Sequence, residues 1–506
     1  MEIGTVIVTE DSPRPCKFSF VVTKNGHSIP VRQGQFVEVE TEEGRVVAFV
    51  TNLIKTNRYF MRAESVREYE RGGRPLMAIF PADRWEYLIA EAQTLGVQCE
   101  NGVERTTFPP SPGQKVREVE KSLACFLGLR QDNGIELGKL KHHELSVKLD
   151  LTKMLRKHVA VLAMSGAGKS YLTSVLVEEL LDRPSEFGRP AVVIIDVHGE
   201  YAGFADCSEY SGKVTVIKGS DLRIGVPNMS SYHFMEFLPE MSGMQARELQ
   251  CILARMHSEM RAGKGPFDLN EVISSVERDG DIHKQLQQAL SGWLGDLQSL
   301  KMFDYADNPN WERVVRLGRA LVVDLSDITS LRKKQILLAY AARRLFNARK
   351  RNRVPPFVLC LEEAHQFCPS GESKDSAISR PIIETIAREG RKFYASLVLI
   401  SQRPVRLSTT VLSQANTNII LRITNPYDLE HIKQSSEAIT GEVADMISSL
   451  PVGEALIVGE AVNYPIFIKV RRRRSRESKH GIGLDEAARE FERENFKQSE
   501  DAKAFM

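Results

Sequence analysis

No stretch of the 506 residues approaches the ~18–20 uninterrupted apolar residues that a membrane-crossing helix needs. Residues Met1 to Glu10 also lack the basic-then-apolar pattern of a secretory signal, so the chain is expected in the cytosol with no membrane contact. Cysteine is sparse: seven residues, odd in number and scattered, with no C-x-x-C pair. That excludes a zinc ribbon and a dithiol redox centre, and leaves reduced thiols as the expectation. Excess charge is missing too. A net charge of +2 gives no chain-wide pull on nucleic acid, so any DNA contact must be local. Two basic clusters offer themselves, Arg343 to Arg353 and Lys469 to Arg476, although most charge runs are solvated faces.

What is present reads as a soluble, multidomain α/β protein. Apolar residues at 42% and charged residues at 26% are globular values, and at ~150 residues per domain the length suggests about three units. Residues 1–140 open with short β-branched runs at Thr5–Thr9, Phe18–Thr23, Phe36–Val39 and Val46–Thr51, separated by turn formers such as Asn25-Gly26. A small β-barrel is expected there, with a helical patch at Pro81–Leu95 and a Pro-rich strap after it.

From Val159 onward, apolar strands alternate with helices, as in a parallel sheet covered on both faces. The candidates are Val159–Ala163, Ala191–Asp196, Val214–Lys218, Ala320–Asp324, Phe357–Leu361 and Leu397–Ser401, with later segments at Thr417–Ile423, Glu454–Val458 and Phe467–Val470. The core thus spans 141–228 and 319–470, interrupted by a helical insertion at 229–318 and followed by a charged tail at 471–506.

The most informative segment is Ala163-Met164-Ser165-Gly166-Ala167-Gly168-Lys169-Ser170, between an apolar strand and the helical run that Tyr171 begins. It fits a Walker A loop, a strand-to-helix turn whose backbone N–H groups face the phosphates of ATP. Residues Ser165 to Tyr171 form the candidate nucleotide cradle. Within it Lys169 reaches the β- and γ-phosphates and the Ser170 hydroxyl sits on Mg²⁺. The first position is Ala163 rather than Gly, which a backbone at negative φ tolerates.

The run Phe357–Leu361 delivers Glu362 and Glu363 at its C-terminal end, where open α/β sheets bind ligands. As a Walker B pair, Glu362 serves the Mg²⁺ shell and Glu363 faces the attacking water; alternatively both simply begin a helix. Gln402 ends the next buried strand, in reach of both γ-phosphate and water. Arg388, with Arg391 second, is the candidate for an arginine donated by a neighbouring subunit, against the plainer reading of a surface ion pair. Asp196 ends a further strand as a ligand-side acid, and Glu200 lies close behind it. His198 has no surrounding His/Cys set and receives no metal role.

Taken together, AMSGAGKS at 163–170, DVHGEY at 196–201, LEEAH at 361–365, AREGRKF at 387–393, SQRP at 401–404 and the run at 413–432 closely resemble the HerA family, as does the N-terminal segment with PSPGQKV. The resemblance implies a RecA-like P-loop NTPase core behind an N-terminal HerA-type barrel, assembled as a homo-hexamer that moves double-stranded DNA. It also implies a NurA-like nuclease partner and work in DNA end resection and recombinational repair. Protein-secretion or conjugation motors share the core and are the competing enzyme class, although the lack of membrane anchors argues against them. A nucleotide-gated clamp without turnover is the competing non-enzyme reading.

Overall fold

The structure, a computed structural model, describes residues 1–10, 12–23, 31–57, 67, 71, 86–99, 102–119, 123–371, 377–435, 439–477, 485–486, 488–489 and 491–493. Contacts divide it into two units, Leu155–Asn416 with Arg472–Met506, and Met1–Met154 with Thr417–Arg471.

The first unit is built on six parallel strands: β1 (Val159–Leu162), β2 (Ala191–Asp196), β3 (Val214–Lys218), β4 (Ala320–Asp324), β5 (Phe357–Leu361) and β6 (Ala395–Ser401). Their order is β3-β4-β2-β5-β6-β1. Every residue of β1, β2, β4 and β5 is buried, as contiguous Val, Ile and Leu runs require when helices cover both faces. Register aligns the strand ends: Asp196 lies opposite Asp324, Ile195 opposite Leu361, and Leu162 opposite Ser401. The residues that follow β1, β2, β5 and β6 therefore share one edge. All six strands expected for the core are present, with ends within two residues of the expected ones.

Helix α1 (Lys169–Asp182) leaves the loop after β1. The expected helical insertion appears as α2 (Gly243–Glu259), α3 (Leu269–Arg278) and α4 (Lys284–Ser299). Two of its helices start on reciprocal caps, Ser242 with Gln245 and Asp268 with Glu271, so side chains satisfy N–H groups that a helix start leaves open. No strand is expected in the insertion, yet Phe303–Asp304 pairs in parallel with Ile224–Gly225 just before it. Helix α5 (Leu331–Lys350) leads to β5, and α6 (Arg380–Phe393) to β6.

In the other unit, six antiparallel strands close on themselves in the order Lys17–Val22, Glu2–Ile7, Lys115–Glu118, Phe36–Thr41, Gly44–Asn57 and Glu86–Cys99. The last pairs back with the first, Phe18 opposite Ala92, and completes the expected barrel. One expectation is overturned. The helical patch placed at Pro81–Leu95 is strand from Glu86 onward, residues 81–85 lying outside the described set. Leu88, Ala90 and Ala92 point into the barrel core while their neighbours face outward, a period of two that overrides the helix propensity of Ala and Glu. The Asn25-Gly26 turn lies outside the described residues. The same unit holds a five-strand antiparallel run, Thr417–Ile420, Glu454–Gly459, Ile466–Val470, Ile135–Leu140 and Ser146–Leu149. Residues 417–471 thus group with the N-terminal segment.

One buried side chain ties the nucleotide-loop strand to its neighbours. His158, at φ 68° just before β1, accepts a hydrogen bond from Leu397 N at 2.9 Å on Nδ1. Its Nε2 donates to the Ala387 carbonyl at 2.9 Å. Those two bonds demand the neutral ring, and burial likewise pushes its pKa below the ordinary value of 6.5. Replacing His158 with Ala orphans a buried N–H and a buried carbonyl, so a loss of roughly 2 kcal/mol is expected in chemical denaturation. Because the folded-state pKa is depressed, the wild-type contribution is present above about pH 6.5 and fades as pH falls below it, so the gap between wild type and variant should narrow in acid.

Candidate active site

At the end of β1 the chain turns through Ala163–Gly168 into α1. Gly166 (φ 76°) and Gly168 (φ 95°) take left-handed conformations that side chains resist, while Ala163 is not among the positive-φ residues. Its methyl is buried and its N–H donates to the Ser401 carbonyl at 3.2 Å. A Cβ built on Gly166 would meet nothing within 4 Å, so backbone conformation, rather than lack of room, calls for glycine there. Ser165 and Gly166 are exposed, Ala167 is buried, and Tyr171 is half-buried on the first turn of α1.

Two carboxylates meet the groups at the start of that helix. The Lys169 ammonium is paired with Glu363 Oε1, both side chains largely shielded from solvent. The Ser170 hydroxyl donates to Glu200. Glu363 itself sits at φ 48°, ψ 46°, a left-handed conformation held by a non-glycine residue immediately after β5. Such strain is retained where the surroundings over-determine it, commonly at functional sites. His365, two residues on, puts Nδ1 3.3 Å from Glu363 Oε2 and 3.2 Å from Ser401 Oγ.

Behind these lie two fully buried acids. Asp196 Oδ1 accepts from the N–H groups of His198 (3.3 Å), Gly199 (2.7 Å) and Glu200 (3.0 Å), and Oδ2 from Tyr201 N–H (2.9 Å). Glu362 Oε2 accepts from Val197 N–H at 2.7 Å and His198 N–H at 3.2 Å, while its Oε1 has no hydrogen-bond partner among the described residues. Burial, with the charges of Asp196 and Glu200 pushing the same way, raises the Glu362 carboxyl to about 10. Burial raises Asp196 as well, against the backbone N–H groups that favour its anion. The pair therefore holds one proton, and it belongs on Glu362.

Of the residues singled out in the sequence, Lys169, Ser170, Glu363 and Glu200 come together at one edge, with Glu362 and Asp196 beneath them and half-buried Gln402 at the end of β6. Arg388 is not drawn in. It is 58% exposed and paired at 3.1 Å with Glu384, one turn back on α6. Arg391 is also exposed. Sequence reasoning did not single out His365, which hydrogen-bonds Ser401 beside Glu363, although it stood inside the quoted LEEAH segment.

The basic clusters, expected mainly as solvated faces, are largely engaged within the chain. Arg343 forks onto Glu236, Arg344 meets Asp307, Arg349 donates to the carbonyls of Phe393 and Val354, and Lys350 meets Glu389. In the second cluster, Arg474 N–H, Ser475 N–H and Ser475 Oγ all donate to buried Glu178 on α1, at 2.8, 2.8 and 2.7 Å. The Arg474 guanidinium reaches Asp182 and Glu179 on the same helix, and Arg473 N–H donates to the Tyr171 hydroxyl at 2.8 Å. These arginines fasten the chain after residue 471 along the helix that begins at Lys169.

Comparison with known proteins agrees with this arrangement. Residues 135–345 match the family described as Helicase HerA, central domain. The DNA double-strand break repair helicase HerA of Pyrococcus furiosus is 26% identical over 519 residues, covering 92% of this chain and 89% of that protein. Its namesake in Saccharolobus solfataricus is 28% identical over 465 residues, covering 87% and 88%. Among solved structures, VirB4 of Thermoanaerobacter pseudethanolicus superposes with a TM-score of 0.52 at 18% identity, over 68% of this chain and 97% of that one, which speaks to the fold alone. No helix among the described residues is long and apolar enough to cross a membrane.

A protonated Glu362 makes a specific forecast. Glu362→Gln keeps an acceptor for the two N–H groups and removes no charge, so its thermal midpoint should stay within a few degrees of wild type. Glu362→Ala leaves the buried Val197 N–H unpaired, while the His198 N–H keeps its bond to Asp196, and should cost about 1–3 kcal/mol, read as a clear drop in the same midpoint.

Proposed function

Because the chain belongs to the HerA family, we propose that it is an ATP-driven motor that translocates along double-stranded DNA as a homo-hexameric ring. The observation that carries the reading is the joining of Lys169 to Glu363, beside Ser170 and Glu200, at the C-terminal edge of a parallel sheet. A phosphate-binding cation and a water-directing carboxylate occupy the same place. Entry of the ATP phosphates offers Lys169 a more highly charged partner, which frees Glu363 to face a water in line with the γ-phosphorus. Gln402, at the end of β6, orients that water from the other side.

The residues present fit Mg²⁺. No group of three His, Cys, Asp or Glu side chains among the described residues forms a dedicated metal cage, and Mg²⁺ in phosphoryl-transfer sites takes few protein ligands beside phosphate oxygens and water. Ser170 Oγ and Glu200 would hold it, with the unpartnered Glu362 Oε1 behind them as a candidate acceptor for its water shell. When bound, the ion supplies charge neutralisation at the β- and γ-phosphate oxygens. The chain's contribution is the loop N–H groups, Lys169, and the placement of Glu363 and Gln402.

Within this reading a NurA-like nuclease partner and a place in DNA end processing follow from the family. Lys169→Ala is expected to abolish nucleotide binding, and Glu363→Gln to bind ATP while losing turnover by about two orders of magnitude or more, both measured with and without duplex DNA. Turnover stimulated by duplex DNA supports the translocase. Stimulation only by secretion partners would favour a secretion motor, and ATP binding without turnover would favour a clamp.

The exposed guanidinium of Arg388 is offered as the arginine that completes a neighbour's site. As a surface ion pair it contributes little, whereas at a transferring phosphoryl group an arginine raises turnover ~10³-fold or more. Rings mixed from Arg388→Ala and Lys169→Ala subunits, each inactive alone, should regain part of the activity, because some interfaces then join an intact loop to an intact arginine. No recovery in rings shown to be mixed, but recovery when Arg391→Ala replaces Arg388→Ala, would assign the role to Arg391.

A further inference from the structure

We propose that His365 is a positioning residue for ATP hydrolysis, holding the Glu363 carboxylate in its working orientation and tying it to the strand end that carries Gln402. The proposal rests on Glu363 being the hydrolytic carboxylate. The geometry begins with an awkward backbone. Glu363 is left-handed at φ 48°, and Ala364–Gln366 form a single tight turn directly after it. That turn brings the His365 ring back over the residue two positions earlier. One ring nitrogen, Nδ1, then lies 3.3 Å from Glu363 Oε2 and 3.2 Å from Ser401 Oγ. Ser401 is fully buried at the end of β6, and its Oγ also accepts from the Arg403 N–H at 3.1 Å, across the turn that contains Gln402.

A continuous polar path therefore runs from Lys169 through Glu363, His365 and Ser401 to the Arg403 amide. It joins the start of α1, the end of β5 and the end of β6. The two Glu363 oxygens have different neighbours on it: Oε1 is paired with Lys169, while Oε2 is buried without a hydrogen-bond partner among the described residues and lies 3.3 Å from His365 Nδ1. When Lys169 turns to the phosphates, Oε1 loses its partner and becomes free to accept a water proton. Oε2 is then anchored by His365. A carboxylate with one oxygen fixed has a defined direction for the other, which is the positioning that general-base chemistry requires. The one Nδ1 proton serves one acceptor at a time, Ser401 Oγ here and Glu363 Oε2 once Lys169 has turned to the phosphates, and a neutral ring adds no counter-charge that would weaken the base. The contact to Ser401 means that a shift of the Glu363 side chain is felt at the strand that ends in Gln402. The plainer alternative is that His365 only fills space between two strand ends, 11% exposed and satisfied by Ser401.

The test separates these roles in the full-length protein. His365→Ala should lower kcat for ATP about 10- to 100-fold, the usual effect of removing a group that orients a reacting one, with KM and nucleotide affinity changed less than about twofold. His365→Asn places an amide N–H close to the Nδ1 position and should restore kcat to within about fivefold of wild type. Thermal midpoints are measured for both. A kcat for His365→Ala within about twofold of wild type overturns the proposal. So does an equal loss in Ala and Asn variants, whether or not the midpoint falls with it, because a filler or a purely stabilising ring would give that result. Glu363→Gln is assayed alongside. If it turns over normally, the assignment of the hydrolytic carboxylate fails and takes the proposal with it; if it is inactive while His365→Ala is normal, the proposal alone is wrong.

Discussion

Two buried carboxylates, Asp196 and Glu362, fasten the ends of adjacent strands to one loop, and the site depends on that fastening. Asp196 gathers the N–H groups of residues 198–201 and Glu362 those of 197 and 198. Each acid alone would be a costly buried charge. Together they share a proton, and the loop amides supply the partial positive charge that makes the remaining anion tolerable. The loop so held carries Glu200 to the Ser170 hydroxyl at the first turn of α1. A side chain that takes no part in phosphate contact thereby sets the position of one that does.

The same edge is self-complementary without nucleotide. Lys169 and Ser170, the two groups that a Walker A loop turns toward phosphates, are each held by an acid from another strand end. A largely shielded ammonium left unpaired would be expensive, and Glu363 supplies its counter-charge. For an ATPase the pairing has a kinetic consequence as well. On the proposed reading of Glu363 as the hydrolytic carboxylate, it is available only after the lysine has left it, so a site that has not engaged phosphates has no oriented base to waste.

How much of this was legible in the sequence follows from the distance between partners. The strands Ala191–Asp196 and Phe357–Leu361 were readable to the residue, because an unbroken apolar run bounded by acids has few other meanings. The strand Glu86–Cys99 was not, because Glu and Ala carry helix propensity and only the alternation at Leu88, Ala90 and Ala92 betrays it. The individual acids at 196, 200, 362 and 363 could be named, yet which met Lys169 and which met Ser170 was settled by strand order, which no local pattern encodes. The contact between Glu178 and Arg474 spans 296 residues. The run of arginines, locally a solvated face or a DNA contact, turns out to lend the Arg474 N–H to that buried glutamate and the Arg474 guanidinium to Asp182 and Glu179.

That last point bears on how a motor of this kind would hold DNA. The densest basic runs are largely committed to internal partners, Arg343, Arg344 and Lys350 to acids and Arg473 and Arg474 to the helix behind the nucleotide loop. A net charge of only +2 adds little chain-wide attraction for a polyanion. Weak contact per subunit is no handicap for a ring. Several modest phosphate contacts made at once raise occupancy through effective concentration, while each can be broken separately at little cost as the duplex advances. A strongly basic face would bind more tightly and step less readily, because every advance would have to release all of its phosphates. Arginines that brace the helix behind the nucleotide loop fit the proposed reading, in which enclosure rather than a basic face would hold the duplex.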